Sequence, residues 1–291
     1  MVMTAQAMIP GQVRVVTRFA PSPTGLLHLG HAMSAVLAHD MARQAGGRFL
    51  LRIEDIDLAR CREEHVATIL ADLEWLGLDW DGTVVRQSAR LPLYAAALDR
   101  LQAQGLVYPC FCTRAEIAAS ASAPHGSEGP VYPGTCRTLD RPDLSRPHSW
   151  RLDMARAVAL AGPLSWTDHA ETIVADPAMH GDVVLARKDA PTSYHLAVTV
   201  DDADQGVTDI VRGADLFAAT HVHRLLQALL GLPTPHYHHH PLLTDNRGER
   251  LAKRSGAPSL AAMRAAGEDG RALATALLRG EHRPKTALRA P

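Results

Sequence analysis

The sequence predicts an α/β protein with a Rossmann-like parallel sheet, an inserted subdomain and a short helical C-terminal segment. Short β-branched runs alternate with longer stretches of helical periodicity, which is the pattern of parallel α/β folds. A loop rich in Pro and Gly follows the first predicted strand, where Rossmann folds bind ligands. A Cys-, Pro- and Ser-rich stretch interrupts the α/β pattern near the middle, and this interruption indicates the insertion.

The composition is that of an ordinary folded protein. The 291 residues are 46% hydrophobic and 21% charged, which excludes disorder and is enough for a large core. No apolar run is long enough to cross a bilayer, and the first residues lack the pattern of a secretory signal, so we expect a cytoplasmic protein without a membrane partner. The formal net charge of -1 gives no general attraction to nucleic acid, although a local basic face remains possible.

The elements of the first half follow in order. A buried strand is predicted at 13 to 19, and a helix from near His28 to about Gly46. The run at 48 to 55 predicts a second strand, and 63 to 78 has helical periodicity with acidic residues in its first turn. A third helix at 90 to 105 stops at its final Gly.

Changes in residue composition and periodicity along the chain predict four regions. Strands are expected inside the insertion at SWRLDM and DVVLARKD, and α/β texture returns at 192 to 231. The regions are a first catalytic half at 1–105, an inserted subdomain at 106–186, a second catalytic half at 187–256 and a short helical segment at 257–291.

The segment with most chemical content is RFAPSPTGLLHLGHA at 18 to 32. Here a strand ends, a Pro-fixed loop turns, and a helix opens with His28, Gly30 and His31. The free N–H groups and partial positive charge of a helix N-terminus suit a phosphate. Gly30 lets an adenine or ribose lie against the backbone, and the imidazoles can donate to phosphoryl oxygens. The H-x-G-H pattern alone fits ordinary helix-face histidines equally well, whereas the fifteen-residue string is far more specific.

This string resembles the first signature of the class I aminoacyl-tRNA synthetases, in the form used by the glutamyl and glutaminyl branch. The resemblance continues through 50 to 60, 73 to 82, 86 to 101 and 207 to 216. Chance does not explain five collinear matches.

The segment GERLAKRSG at 248 to 256 is similar to the lysine-bearing phosphate loop of the same class. Lys253 stands where the family places its ATP-contacting lysine, in a chain that otherwise nearly always uses Arg. The segment departs from the family at Arg250 and at Ala252, where a serine is usual, which removes one hydroxyl contact. A solvated basic turn is the structural alternative for this segment.

The resemblance implies ATP-dependent activation of an amino-acid carboxylate. The carboxylate attacks the α-phosphate in line while pyrophosphate leaves, so charge accumulates on phosphoryl oxygens. His28, His31 and Lys253 are the predicted catalytic residues, and these three with Gly30 are predicted to bind ATP together with Mg²⁺.

The amino acid implied by the resemblance is glutamate. A pocket for it needs cations for the side-chain carboxylate and an acceptor for the α-ammonium group. Arg18 and Arg212 would supply the cations and Glu54 the acceptor, although single arginines are more often surface ion-pair partners. The predicted glutamate-binding residues are Arg18, Phe19, Ala20, Pro21, Ser22, Glu54, Tyr194 and Arg212.

Three cysteines in the insertion have the spacing of a zinc site. Cys110, Cys112 and Cys136 supply thiolates, and a closed structural site needs a fourth ligand. The related family uses a tyrosine at the position of Tyr132, while His125 and His148 are chemically possible. The insertion is therefore predicted to be a zinc-binding subdomain in which Zn²⁺ is structural.

Two other features are expected to be structural. Cys61 has no role in the adenylation chemistry and is interpreted as a packed or exposed thiol. Among the histidines at 236 to 240, only alternate residues can share one face of a strand, namely His236, His238 and His240. We therefore expect a strand near the nucleotide site rather than a metal ligand set.

The chain also resembles a short branch of the glutamyl family that modifies queuosine. Only 38 residues (291 minus 253) follow Lys253, too few for an anticodon-binding domain. Members of that branch form glutamyl-adenylate without tRNA and transfer glutamate to queuosine in the anticodon loop of tRNA(Asp). The resemblance thus implies ATP, L-glutamate and queuosine-bearing tRNA(Asp) as partners of a monomer.

Phosphate contacts to that tRNA are expected from arginines of the insertion. The candidates are Arg137, Arg141, Arg146 and Arg151, which fit a solvated surface equally well. Three other functions stay open: a conventional synthetase that charges the tRNA 3′ end, a non-catalytic paralogue that binds tRNA or protein, and a nucleotidylyltransferase that shares the H-x-G-H turn.

Overall fold

A computed structural model describes residues 14–113, 115–117, 131–243 and 258–281 of the chain. Ten strands occur in these residues: β1 (Val16–Phe19), β2 (Arg48–Ile53), β3 (Val85–Arg86), β4 (Val107–Cys110), β5 (Ser149–Leu152), β6 (Ser165–Asp168), β7 (Glu171–Val174), β8 (Val184–Ala186), β9 (Asp209–Gly213) and β10 (His236–His240). The α-helices of the same ranges are α1 (Leu29–Gln44), α2 (Glu63–Trp75), α3 (Leu91–Ala103), α4 (Met154–Ala161), α5 (Tyr194–Asp204), α6 (Phe217–Leu230), α7 (Leu260–Ala265) and α8 (Gly270–Leu278). None of these helices is long and apolar enough to span a membrane.

The first sheet is parallel and has the order β1-β2-β3. Val16 lies opposite Arg48, and Phe19 lies opposite Leu51. Helix α1 connects β1 to β2, which is the crossover that parallel strands require. The predicted Rossmann-like α/β fold is confirmed.

The second sheet has the order β7-β6-β10-β9, and β10 runs parallel to both of its neighbours, β6 and β9. The backbone N–H of Thr208 donates to the carbonyl of Val16 at 2.9 Å, so β9 starts beside β1. Strand β1 is parallel to β2 and β9 is parallel to β10, and ligands of open α/β sheets bind at the carboxyl ends of such strands.

A third sheet is antiparallel, with the order β4-β5-β8, and its strands come from the predicted insertion. Strands β6 and β7 also fall inside the predicted range 106 to 186, but β6 pairs with β10 of the second sheet. The interval between the predicted boundaries therefore contributes to two sheets. The boundaries themselves remain a prediction.

Two large apolar clusters form the core. The first lies between α1, β2 and α2 and includes Phe49, Leu51 and Leu73, all almost fully buried. Helices α7 and α8 close it through Leu260 and Leu277.

The second cluster joins α3, α4 and α6 to the antiparallel sheet. Leu101, Leu152 and Leu225 are completely buried in it. The cluster therefore packs the antiparallel sheet against α6, the helix that follows β9.

Candidate active site

A cavity of about 430 Å³ opens where β1 and β9 end and α1 begins. Every predicted ATP- or glutamate-binding residue within the described ranges contributes to its wall. These are Arg18, Phe19, Ala20, Pro21, Ser22, His28, Gly30, His31, Glu54, Tyr194 and Arg212. Lys253 and its loop lie outside the described residues, as does His125.

The start of α1 forms one side of the cavity. His28 is the residue that caps the helix: its Nδ1 accepts from the N–H of Gly30 at 3.1 Å, and its own N–H donates to His31 Nδ1 at 3.1 Å. A Cβ on Gly30 would lie 3.0 Å from Cε1 of His28, so any side chain here would crowd this imidazole. The two rings, with centroids 3.8 Å apart, stand at a helix N-terminus that can receive an anion.

Strand β10 brings a further imidazole to the same wall. His240 lies 2.8 Å from the hydroxyl of Ser34, which follows the H-x-G-H turn on α1. Both side chains line the cavity. The predicted strand is present as β10 (His236–His240), and its last residue lies at the cavity.

Arg18 enters the cavity from the end of β1 while its charge is held by Asp202 of α5. The guanidinium donates from Nε to Oδ1 at 3.0 Å and from Nη2 to Oδ2 at 3.3 Å. Both side chains are 6% exposed. Burial opposes ionisation of Asp202, but Arg18 and Arg52 outweigh it and lower the pKa of this carboxyl.

Glu54 follows directly after β2 and reaches the opposite side of the cavity. Its N–H donates to the carbonyl of Pro21 at 2.9 Å, which ties the Pro-fixed loop to the end of the strand. Its Oε1 accepts from the fully buried Arg52 at 3.3 Å. Burial raises the pKa of this carboxyl although Arg52 and Arg18 oppose the shift. A buried carboxylate facing a cavity is a suitable acceptor for an ammonium group.

Arg212 reaches the cavity from β9 and is 4% exposed. Its Nη1 donates to the hydroxyl of Tyr194 at 3.3 Å, and its Nη2 donates to the hydroxyl of Thr220 at 2.6 Å. The sequence identified Arg212 and Tyr194 only through family motifs. Their proximity is a tertiary feature, since Tyr194 begins α5 and Arg212 lies on β9.

Several residues of the cavity were missed by the sequence analysis. Apolar wall residues are Val198, Val211, Leu216, Leu242 and Leu243, and polar ones are Ser34 and Asp215. Asp202, which holds Arg18, was missed as well. Only the residues inside or near the segments that resemble the family could have been found from the sequence, for example Asp215 in VTDIVRGADL.

The three cysteines of the insertion converge on one point. The sulfur atoms of Cys110, Cys112 and Cys136 all lie within 4.8 Å of one another, and the pair Cys112–Cys136 is 3.5 Å apart. Three sulfurs at this separation fit the tetrahedral thiolate coordination of zinc. Burial raises the pKa of Cys112 to about 11, so a bound cation is what would favour its thiolate form.

Tyr132 is the residue closest to completing this set. Its hydroxyl lies 3.6 Å from the sulfur of Cys112 and accepts the backbone N–H of Cys136 at 2.9 Å. His148, in contrast, donates from Nδ1 to the carbonyl of Arg146 at 2.8 Å, and its ring lies against Trp150. Of these two candidates for a fourth ligand, only Tyr132 contacts the cysteine cluster.

The arginines predicted to contact tRNA differ in accessibility. Arg151 is 8% exposed, lies 3.9 Å from the centre of the Tyr132 ring and donates to the carbonyl of Asp182. The prediction is therefore wrong for Arg151, because its side chain is buried against the Tyr132 ring and bonded to the carbonyl of Asp182. Arg141 and Arg146 are exposed, and Arg137 forms an ion pair with Asp182.

Comparison with known proteins agrees with this geometry. Residues 14–285 match the family model of the catalytic domain of class I tRNA synthetases (E and Q). A glutamyl-Q tRNA(Asp) synthetase of Rhodobacter capsulatus is 54% identical over 269 residues, which cover 87% of this chain and 96% of that protein. A protein of the same name from Symbiobacterium thermophilum is 49% identical, over 86% of this chain and 81% of the relative.

Solved structures show the same fold. A glutamate tRNA ligase from Elizabethkingia meningosepticum, in complex with its amino acid, has a TM-score of 0.71 at 27% identity over 84% of this chain. A glutamate-tRNA synthetase from Elizabethkingia anophelis has a TM-score of 0.72 at 27% identity, again over 84% of this chain. The chain spans about half the length of these two, 53% in each case.

Fold, cavity and sequence matches together define a class I tRNA synthetase catalytic domain, so the protein is a synthetase-type ligase. Within that class, the chain belongs to the glutamyl-Q tRNA(Asp) synthetase family.

Proposed function

We propose that this protein activates L-glutamate with ATP to glutamyl-adenylate without tRNA and then transfers the glutamate to queuosine in the anticodon loop of tRNA(Asp). The observation that carries the first step is the cavity itself, in which a helix N-terminus with two imidazoles faces a buried arginine. The names of the relatives support the second step. We place the reaction in the cytoplasm and expect a monomer.

The phosphate end of ATP is assigned to the start of α1. The helix N-terminus attracts the anion, and the imidazoles of His28 and His31 contact phosphoryl oxygens. Gly30 leaves room for the nucleotide and keeps the His28 ring in place. Lys253 completes the set as a compact cation, by its resemblance to the family's lysine loop.

The glutamate end of the cavity is assigned to the ends of β1, β2 and β9. Arg212 and Arg18 meet the carboxylates, and Glu54 accepts from the ammonium group. Tyr194 orients the Arg212 guanidinium and closes this side. The loop that covers the amino acid consists of Phe19, Ala20, Pro21 and Ser22. The hydrogen bond from the N–H of Glu54 to the carbonyl of Pro21 holds this loop in place.

The chemical step is an in-line displacement at the α-phosphorus. An oxygen of the substrate carboxylate forms a bond to phosphorus while the bond to the bridging oxygen of the β-phosphate breaks, and pyrophosphate leaves with that electron pair. Mg²⁺ bound with ATP supplies charge neutralisation for the leaving group. His28, His31 and Lys253 stabilise the charge on the phosphoryl oxygens, and positioning by the cavity supplies the remaining acceleration.

A structural zinc ion is assigned to the cysteine cluster. Cys110, Cys112 and Cys136 would hold it with Tyr132 as fourth ligand, on the geometry above. The ion would connect β4 to the segment around Cys136, which contributes only a small apolar cluster of its own.

Glutamate-dependent ATP–pyrophosphate exchange by the purified protein, without tRNA, tests the first step. We expect exchange with glutamate and little with glutamine or aspartate. Exchange only when tRNA is added would instead support a conventional glutamyl-tRNA synthetase. No exchange under either condition would overturn the proposed activity.

The acceptor is tested with labelled glutamate and two preparations of tRNA(Asp), one carrying queuosine and one carrying guanosine at that position. Both are trimmed of the 3′-terminal adenosine, so that the usual charging site is absent. Transfer to the queuosine-bearing tRNA alone is the expected result. Transfer that requires an intact 3′ end would contradict the assignment.

A further inference from the structure

The guanidinium of Arg212 is buried without a carboxylate partner among the residues that the structure describes. Besides Tyr194 and Thr220, it contacts two imidazoles: Nε donates to Nε2 of His239 at 3.1 Å, and Nη1 donates to Nδ1 of His223 at 3.4 Å. The two hydroxyls are neutral acceptors, and each imidazole is a neutral acceptor when it carries a single proton. A buried cation surrounded by neutral groups keeps its full attraction for an anion.

The other buried arginines of the site differ in this respect. Arg18 forms a bidentate pair with Asp202, and Arg52 lies 2.8 Å from the same carboxylate. Their charges are therefore offset within the protein. Of these three buried guanidinium groups, Arg212 is the one whose charge is available to a ligand in the cavity.

The hydrogen-bond directions determine which nitrogen of each imidazole carries a proton. Because Arg212 can only donate, Nδ1 of His223 must accept, and Nε2–H of His223 then donates to Nδ1 of His195 at 3.2 Å. By the same argument Nε2 of His239 accepts, so its Nδ1–H donates to Asp168 at 3.1 Å. Each ring thus has one nitrogen bound to Arg212 and the other held by a neighbour.

The surroundings also keep both rings uncharged. His223 is 2% exposed and His239 is 7% exposed. Burial, followed by the positive charge of Arg212, lowers the pKa of His223 well below its usual range. The same two causes lower the pKa of His239 to about 4, although Asp168 opposes the shift. At neutral pH both imidazoles are acceptors without charge.

We propose that His223 and His239 are positioning residues that orient the Arg212 guanidinium by neutral hydrogen bonds and leave its charge for the carboxylate of the substrate. They strengthen the binding of a substrate carboxylate without touching the substrate themselves. This inference rests on the proposed function, since it assumes that Arg212 receives a carboxylate of glutamate.

The physical reason is that a carboxylate at either position would form an internal ion pair with Arg212. The substrate carboxylate would then compete with a permanent, buried partner and gain less from binding. A neutral imidazole satisfies the N–H groups of the guanidinium, which would otherwise be buried without acceptors, yet leaves the charge uncompensated.

The experiment compares His223→Asn with His223→Asp. Asparagine places a neutral oxygen at the position of Nδ1, and aspartate places a charged oxygen of the same size there. In glutamate-dependent ATP–pyrophosphate exchange, we expect the KM for glutamate to be about tenfold or more higher in the Asp variant than in the Asn variant. The KM for ATP should differ little between the two.

Folding is monitored by thermal unfolding of the same samples. The Asp variant should be at least as stable as the Asn variant because it gains an ion pair with Arg212. If His223 had a purely structural role, the variant with the weaker affinity for glutamate would instead be the less stable one. His236→Asn and His236→Asp, which make the same pair of changes on an exposed residue of β10, should leave the KM for glutamate unchanged.

His239→Gln serves as the second variant, because its amide oxygen can replace Nε2 as acceptor. It should retain glutamate affinity better than His239→Leu, which removes the acceptor. Equal KM values for the Asn and Asp variants at 223, in an active wild-type background, would overturn the inference. Absence of glutamate-dependent exchange in the wild type would instead refute the proposed function, so the two failures are distinguishable.

Discussion

Asp202 binds two arginines from neighbouring strands with a single buried carboxylate. Its oxygens accept from Arg18 at 3.0 and 3.3 Å, and Arg52 lies 2.8 Å from Oδ1. Arg52 has no exposed surface and Asp202 is 5% exposed. The carboxylate therefore connects α5 to both β1 and β2 and sets the direction of Arg18 at the cavity.

Replacing this carboxylate by an amide should destabilise the protein. Asp202→Asn leaves two buried guanidinium groups with reduced charge compensation, and we expect the free energy of unfolding to fall by about 3 kcal/mol. Urea unfolding measures the change. Asp204→Asn on the same helix, whose carboxylate is 52% exposed and pairs with Arg90, should cost about 1 kcal/mol or less. Equal losses for the two variants would show that Asp202 does not have this role.

Adding one methyl group at Gly30 should impair nucleotide binding more than folding. The new Cβ would lie 3.0 and 3.1 Å from two atoms of the His28 ring and displace it. Because alanine favours helices, the melting temperature should change little, while the KM for ATP rises. Gly270→Ala provides the contrast: its Cβ would lie 2.3 Å from the carbonyl of Trp75, so stability should fall while the KM for ATP is retained.

Removal of one cysteine of the cluster should release the metal. Cys136→Ser is expected to reduce bound zinc, measured by elemental analysis, from about one equivalent to near zero. Cys61→Ser, outside the cluster, should keep its zinc. Tyr132→Phe should bind zinc more weakly than the wild type under competition with a chelator, and an unchanged affinity would exclude the phenolic oxygen as a ligand.

Stability should fall as the pH decreases from 7.5 to 5.5. The pKa of His239 is about 4 in the folded protein, below the value of about 6.5 for an unperturbed histidine. In this interval the unfolded chain binds more protons than the folded protein, so acidification favours unfolding. The neutral ring of His239 contributes its full stabilisation only above about pH 6.5. His223, His221 and His240, whose pKa values are also lowered by burial, act in the same direction.

The measurement is the urea midpoint at three pH values. His239→Gln should show a weaker pH dependence than the wild type, because glutamine does not titrate. His236→Gln changes an exposed histidine of the same strand and should leave the dependence as it is. A wild-type midpoint that does not change over this interval would contradict the burial of neutral histidines.

Local patterns were sufficient for most elements and for several of the residues that line the cavity. The helix start at His28, the strand endings at Phe19 and Gly213 and the zinc-type cysteine spacing are all features of short segments. Family motifs then identified the residues of the cavity. Interactions within a turn, a cap or a strand depend on neighbours in sequence, so such features can be predicted from the chain alone.

The partners of these residues were determined by tertiary structure. Asp202 meets Arg18 across 184 positions of sequence, and His223 and His239 meet Arg212 from a helix and a neighbouring strand. Arg151 became buried against Tyr132, contrary to the sequence-based expectation.

The amino-acid sequence by itself determined the α/β fold class, the order of the elements and the residue types available for phosphate, carboxylate and zinc. Only the tertiary structure decided which buried arginine is neutralised by a carboxylate and which keeps its charge for a ligand. The physical reason is that strand register and helix packing bring distant side chains together, and burial then determines the electrostatic effect of each neighbour.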